Sequence, residues 1–393
     1  MKILVCNVGS TSLKAKLYEM PEERELCQGK IERVGSLDDA IFSYHNTATG
    51  QEKKCTGCCI PDYRRGIEMF LEVMLSSEIG VIKDPEEIER VGFKTVLAKG
   101  YYGIHQLTED VMSAMEEMMP IAPSHNGPYL QAIRTMREVF PQAVFIGAFE
   151  TAFHQSIPQE RVMYGVPYEW YKQLGVRRMG YHGASHSYIA SVLNQSRANY
   201  RAISCHLGGS GSICAIKDGK SVDTSFGMTL QTGPIHANRT GDMDCDLYAY
   251  LKSQGLNEKE ISDGMTKNGG LKGISGISGD LRYVQSAADE GNERARLAIA
   301  MYVHGIVHYI GAFYAEMGGV DTLVFTGGIG ENAWEIRQAV CETLHHMGFW
   351  LDQGKNQLAH PDVISQPNSP VEIRVIRTNE EICVARSAYS CQS

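Results

Sequence analysis

A chain of 393 residues, 43% hydrophobic and 21% charged, has enough apolar material for two cores of ordinary size, so two domains are expected. A formal net charge of −9 argues against nucleic acid as the main partner, because a phosphate backbone calls for a surplus of Lys and Arg. No apolar run reaches membrane-spanning length, and the chain starts directly on a strand without a signal-peptide pattern. A cytoplasmic protein with no membrane role is therefore expected.

In chain order, residues 2–7 and 12–19 alternate as a hairpin around Asn7-Val8-Gly9-Ser10-Thr11-Ser12, and 30–34 and 40–46 read as further short strands. Cys55-Thr56-Gly57-Cys58-Cys59 lacks the second ligand pair that a zinc site requires. The eleven cysteines are an odd count at irregular spacing, and Cys6, Cys205 and Cys214 lie within apolar strands, so all are read as reduced thiols. Helical spacing over 63–79 and 109–119 places Met and Leu on a core-facing stripe. Val144 to Phe149 reads as a short buried strand ending at Glu150.

The second half repeats the opening. Residues 202–206 and 212–217 form another hairpin, turned back by Asp218-Gly219. The Ala-rich stretch 291–317 reads as one long helix, and Thr322 to Phe325 as a buried strand. That strand runs into Thr326-Gly327-Gly328-Ile329-Gly330-Glu331-Asn332, with a helix expected from about 333. No low-complexity linker separates the halves.

The two hairpins carry the chemistry. Gly9 and Gly208, in Cys205-His206-Leu207-Gly208-Gly209-Ser210-Gly211-Ser212, are 199 positions apart. Such turns present backbone N–H groups and hydroxyls, which suit phosphate. Two copies imply a duplicated α/β fold holding a polyphosphate between its lobes. Gly327, Gly328 and Gly330 let backbone pass close to a ligand, and a following helix would offer its positive end. The element lacks the Gly-Lys-Ser/Thr of a Walker loop and is no clean dinucleotide fingerprint, so a nucleotide site of another kind is expected.

Seven segments then occur in the order seen in acetate kinases: Asn7 to Lys14, Glu150 to His154, Arg177 to Gly183, Lys220 to Ser225, Asn238 to Asp242, Phe325 to Asn332, and Thr378 to Glu381. The chain resembles that family over essentially its whole length. The resemblance implies two ribonuclease-H-like domains of the acetate and sugar kinase, Hsp70 and actin superfamily, with a nucleotide cleft between them. It places residues 1–150 in the first domain, joined by a returning segment 384–393, and 151–383 in the second. It also implies a homodimer, magnesium, and direct transfer of the γ-phosphoryl of ATP to a short carboxylate.

Site residues follow from the same resemblance. Arg239 is the expected clamp on phosphoryl and carboxylate oxygens, since its fork of donors grips them together. His182 and His125 are expected near the transferred phosphoryl, His182 as a transition-state hydrogen-bond donor; on residue pattern alone either could be structural. Glu150, Glu380 and Asn7 are expected to organise magnesium and its waters, which suits hard oxygen donors. Lys14, Ser10, Ser12, His206, Gly208, Gly209, Ser210, Gly211, Asp280, Leu281, Arg282, Gly327, Gly328, Ile329, Gly330 and Asn332 form the expected nucleotide contacts.

The chain also departs from the family. Lys94 stands where acetate kinases carry a substrate-binding arginine, which keeps the charge and loses the planar fork. Glu150 replaces the catalytic aspartate, and Gly209 an asparagine. In the acyl pocket, formed with Val96, Ser124 replaces leucine, Tyr181 phenylalanine and Leu230 proline, while His236 and Asn238 add polarity beside Arg239. New hydroxyls would suit a short acid with a polar substituent. The expected activity is ATP-dependent phosphorylation of acetate, propionate or a substituted short acid. The alternatives are a kinase of this fold with another acceptor, and a nucleotide-binding regulator that has lost efficient transfer.

Overall fold

The computed structural model describes residues 1–9 and 11–391, with every side chain in that range except those of Pro123 and Ser124. Ser10 lies outside the described residues. The chain divides into two compact units, residues 1–152 with the C-terminal segment from 379, and residues 153–378.

The strands of the first unit are β1 (Lys2–Gly9), β2 (Ser12–Glu19), β3 (Arg24–Glu32), β4 (Ser36–Asn46), β5 (Glu52–Ile60), β6 (Ile88–Phe93), β7 (Ile104–Gln106) and β8 (Val144–Ala148). They form one sheet in the order β5-β4-β3-β2-β1-β6-β8-β7. The second unit has β9 (Arg201–Leu207), β10 (Gly211–Lys217), β11 (Lys220–Thr224), β12 (Thr322–Thr326) and β13 (Glu372–Val375), in the order β11-β10-β9-β12-β13. Each sheet contains the same five-strand kernel. An antiparallel meander of three strands is extended from its first strand by two parallel ones, β3-β2-β1-β6-β8 in one unit and β11-β10-β9-β12-β13 in the other. The duplication read from the two hairpins is thus a duplication of sheet topology.

Alternation explains how the second sheet is covered on both faces. Ile203, Cys205, Leu207, Ile213, Ala215, Leu323 and Phe325 pack into the core on one side, and Ala202, Cys214, Ile216 and Val324 into the core on the other. The first side receives the long helix Glu293–Met317, whose buried stripe is Ala295, Ala298, Tyr302, Ile306, Ile310 and Phe313. Asn292 caps its start by accepting from Ala295 N at 3.0 Å, and Gly318 ends it in the left-handed region. The second side receives the helix Gly183–Ser196 through Ile189, Ala190 and Leu193.

Several expectations are corrected. By length and composition the helix Glu293–Met317 is apolar enough to cross a membrane, whereas the sequence reading found no such run. His304 and His308 interrupt any continuous apolar stretch, and the inner stripe is spent on the core. Strands β3 and β4 run longer than read, and β5 was missed because its residues are mostly exposed and show little alternation. The helix read over 63–79 ends at Met74. The returning segment starts at Asn379 rather than 384, because Glu380–Ser390 is one helix packed on the first sheet. Val384 and Ala388 come so close to Gly92 that a Cβ there would stand 3.1 and 3.2 Å from them.

The cysteines are not all reduced. Cys55 and Cys58 form a disulfide, with Cα atoms 6.1 Å apart. Residues three apart on a regular strand face opposite ways, so the pairing needs an extra residue. Gly57 supplies it: the register slips between Ala40↔Cys58 and Ile41↔Thr56, and Gly57 takes φ +72°. Cys6, Cys205 and Cys214 are free and buried, as read.

Candidate active site

In the first unit, site residues gather at the C-terminal ends of the parallel strands, where ligands of open α/β sheets bind. Asn7 lies near the end of β1, Lys94 follows β6, and Glu150 follows β8. Backbone bonds hold the ends together, Lys94 N to Cys6 O at 3.2 Å and Glu150 N to Thr95 O at 3.0 Å. Glu380 arrives as the first residue of the C-terminal helix, whose cap Asn379 accepts from Ile382 N.

Lys94 Nζ is 2.7 Å from Glu380 Oε2 and 3.2 Å from Glu150 Oε1, and all three side chains are mostly buried. Burial works against the lysine's charge, but Glu150 and Glu380 more than offset it and hold its pKa well above the ordinary value. Burial pushes Glu150 up, with Lys94 opposing and Glu380 adding. Two carboxylates therefore share one ammonium. Beside them Tyr129 OH donates to Asn7 Oδ1 at 3.3 Å and accepts from Val8 N at 3.1 Å. His125 lies one turn before Tyr129 on the same helix face. Lys14 is the cross-strand neighbour of Asn7, and Ser12 that of Gly9. Val96 is buried. The side chain of Ser124 lies outside the description.

In the second unit the hairpin β9–β10 carries His206, Gly208, Gly209, Ser210 and Gly211. Arg239 sits in a loop closed at its neck by Asp242, which accepts from Gly233 N at 3.0 Å and donates its own N–H to Gly233 O at 3.0 Å. Gly241 at that neck has φ +75°, and a Cβ there would meet Gly233 O at 2.6 Å. The loop is tied to the hairpin by Ala237 N to Gly209 O at 3.0 Å, and Arg239 Nη2 donates to Ser210 Oγ at 2.5 Å.

A cavity of about 910 Å³, a size that suits a nucleotide, is lined by Gly208, Gly209, Asp280, Leu281, Arg282, Gly328, Ile329 and Asn332. Eight of the expected nucleotide contacts thus meet on one cavity. Asp280 and Arg282 also bind each other, Nε to Oδ1 at 3.0 Å, which holds the Asp280 carboxyl below its ordinary value. Gln285, Ser286 and Asp289 line the same wall and were missed, although their spacing after Arg282 on the helix Leu281–Asp289 is a readable signal.

The Gly327-rich element differs from its reading. Gly327–Asn332 is itself a short helix, and Gly327 N donates to Glu331 Oε1 at 3.0 Å, so that amide is spent internally. Support comes from buried Arg337, which donates to Gly330 O and Glu331 O at 2.9 Å and to Asn356 Oδ1 at 2.7 Å. Arg337→Met would leave several buried acceptors unpaired. It is expected to cost about 3 kcal/mol and lower the melting temperature by roughly 5–10 °C in calorimetry.

Two polar groups read into the acyl pocket have partners within the second unit. Tyr181 is fully buried and donates its hydroxyl proton to Met228 O at 2.6 Å. His236 has both ring nitrogens engaged, Nδ1 accepting from Gly211 N at 3.1 Å and Nε2 donating to Thr232 O at 3.2 Å. Burial and then Arg239 bring its pKa down to about 3, so it serves as a neutral strut. Leu230 is half-buried in the same unit.

His182 precedes the helix Gly183–Ser196 in the left-handed region at φ +55°, a strained setting for a non-glycine residue. Its ring stacks on His206 with centroids 4.1 Å apart.

A duplicated sheet kernel, a glycine-rich hairpin bonded to an arginine loop, and a nucleotide-sized pocket define a phosphotransferase of the ribonuclease-H-like class. Comparison with known proteins agrees. The profile of the acetokinase family matches residues 2–386. Acetate kinase from Geobacillus kaustophilus is 40% identical over 392 residues, covering 98% of each chain, and that from Pseudothermotoga lettingae is 38% identical, covering 98% of this chain and 96% of the relative. The crystal structure of Porphyromonas gingivalis acetate kinase superposes with a TM-score of 0.88 at 36% identity over 99% of both chains. That of a propionate kinase from Francisella tularensis gives 0.89 at 31% identity over 100% of both. The chain belongs to the acetokinase family.

Proposed function

We propose that this protein transfers the γ-phosphoryl of ATP reversibly to a short carboxylate, giving the acyl phosphate and ADP. The observation that carries the reading is full-length membership of a family whose relatives here are acetate and propionate kinases. In this reading Gly208, Gly209 and the Gly328 segment hold the nucleotide, and Arg239 neutralises charge on the equatorial oxygens. His182 and His125 donate hydrogen bonds to the same oxygens, and Lys94 attracts the acceptor carboxylate. Val96 and Leu230 line its acyl end.

Magnesium fits the donor set. Glu150 and Glu380 bring two mostly buried hard carboxylates together, 3.2 and 2.7 Å from Lys94 Nζ. Glu380 and Asn7, with Glu150, would hold the ion or its waters. When bound it would neutralise charge on the phosphates. A homodimer belongs to the same reading and is checked by sedimentation.

The test is ADP release from Mg-ATP over acetate, propionate, butyrate and hydroxy acids at millimolar concentration. Turnover with an unsubstituted acid above the hydroxy acids is the expected result, because the Tyr181 hydroxyl proton is already committed to Met228 O. No turnover with any acid would sink the reading. One observation favours a second reading, a nucleotide-binding regulator: the Lys94 ammonium is engaged by two carboxylates of its own chain. ATP binding without turnover across the panel would select it.

A further inference from the structure

Beneath His182 lies a line of buried side chains that the reaction, as described, does not use. On β9 and β10, Ser204 and Ser212 share the sheet face that receives the helix Gly183–Ser196, and on that helix His186 stands one turn after His182. Ser204, Ser212 and His186 are each 0% exposed. Ser204 Oγ is 3.0 Å from His186 Nδ1, His186 Nε2 is 2.8 Å from Ser212 Oγ, and Ser212 Oγ is 2.9 Å from His182 Nδ1.

Proton accounting gives this line a direction. A neutral imidazole has one N–H and a hydroxyl has one O–H. Burial, with His154 and His206 adding, holds the His186 pKa well below its ordinary value, so that ring is neutral. If His186 carried its proton on Nδ1, it would donate to Ser204, and the Ser204 hydroxyl proton would have no acceptor among the described residues. A buried orphan donor costs about 1–3 kcal/mol. In the opposite polarity every proton is used. Ser204 donates to His186 Nδ1, His186 Nε2–H donates to Ser212, and Ser212 donates to His182 Nδ1. A neutral His182 then keeps its proton on Nε2.

We propose that Ser204, His186 and Ser212 form a directional hydrogen-bond wire that fixes His182 as the Nε2–H tautomer, making His186 and Ser212 positioning residues for phosphoryl transfer. The inference rests on the reading of His182 as a hydrogen-bond donor to the transferred phosphoryl. A neutral Nε2–H offers a preoriented dipole to developing charge without giving up a proton. The wire also resists protonation of His182 at Nδ1, since that would reverse each link and orphan the Ser204 proton.

Nitrogen NMR of the full-length protein labelled at histidine reads the tautomer directly, with His182→Asn and His186→Gln used for assignment. His182 protonated on Nε2 and unprotonated on Nδ1 is expected, and the reverse tautomer would overturn the wire. In Ser212→Ala, kcat should fall about tenfold to a hundredfold with KM for ATP unchanged, and the His182 signals should show a mixture of tautomers. Wild-type kcat with an unmixed tautomer would overturn the positioning role. Should Ser212→Ala fail to fold, the wild-type spectrum still decides. His182→Ala separates the two ideas. Full activity there would overturn the role given to His182, and the positioning role with it, while the spectrum judges the wire alone.

Discussion

Arg239→Ala is expected to lower kcat by about a thousandfold or more, the range over which charge-stabilising arginines act in phosphoryl transfer. The side chain is half-buried on a loop built independently of it. The Gly233–Asp242 neck, the Ala237–Gly209 bond and the Gly269–Asn238 bond are all formed by other residues. Among the described residues, losing the guanidinium leaves only Ser210 Oγ without its donor. ATP affinity by calorimetry and the thermal midpoint should therefore stay close to wild type while turnover collapses. Normal turnover would place the phosphoryl clamp elsewhere, and a collapsed midpoint would make the loss uninformative about chemistry. Arg239→Lys should recover little, since a point charge cannot grip two oxygens at once.

Lys94→Met should be the most damaging single change in the first unit. Glu150 and Glu380 would be left facing each other in a mostly buried setting, a situation that costs about 3–5 kcal/mol. The sign of its pH dependence follows from Glu150, whose pKa is already raised by burial. A carboxyl with a raised folded pKa stabilises the fold below the unfolded value, near 4.3, and loses that contribution as pH rises through the folded value. The deficit should accordingly be small near pH 4 and grow toward neutrality, as measured by denaturant titration. A deficit independent of pH would mean that the carboxylates are not the cause. At tolerated stability the carboxylate KM should rise with ATP affinity unchanged. The paired exchange Lys94→Arg with Glu150→Asp lengthens one arm and shortens the other. It should lose less than the sum of its single changes, and simple additivity would show that the two residues are not coupled.

Much of this architecture was readable because period and punctuation survive in the sequence. The hairpins at Gly9 and Gly208, the Asp218-Gly219 turn and the long helix were each marked by local pattern, and their repetition gave the duplicated kernel. Strand β5 was unreadable for the opposite reason, as an exposed edge strand needs no alternation. The disulfide was hidden because strand geometry forbids an i,i+3 pair until a bulge at Gly57 is known. Motif order supplied the candidate site residues but not their mutual bonds. Lys94 and Glu380 are 286 positions apart, and only the fold reveals that one ammonium serves two carboxylates. Likewise the bond from the Tyr181 hydroxyl to Met228 O joins residues 47 positions apart and leaves no local pattern.

The C-terminal helix has a further meaning for how the molecule comes into being. Glu380 is supplied by its first residue, and Arg90 Nη1 reaches Cys391 O at 2.7 Å near the chain's end. During translation Lys94 emerges 286 residues before its partner Glu380 exists. Residues 153–378, by contrast, are contiguous and carry their own cores, so they are complete before that moment. A ribosome that stops just short of codon 380 would release a product that has residues 153–378 but lacks the C-terminal helix of the first unit, so nascent chains gain the full charge cluster only after the second unit has been made.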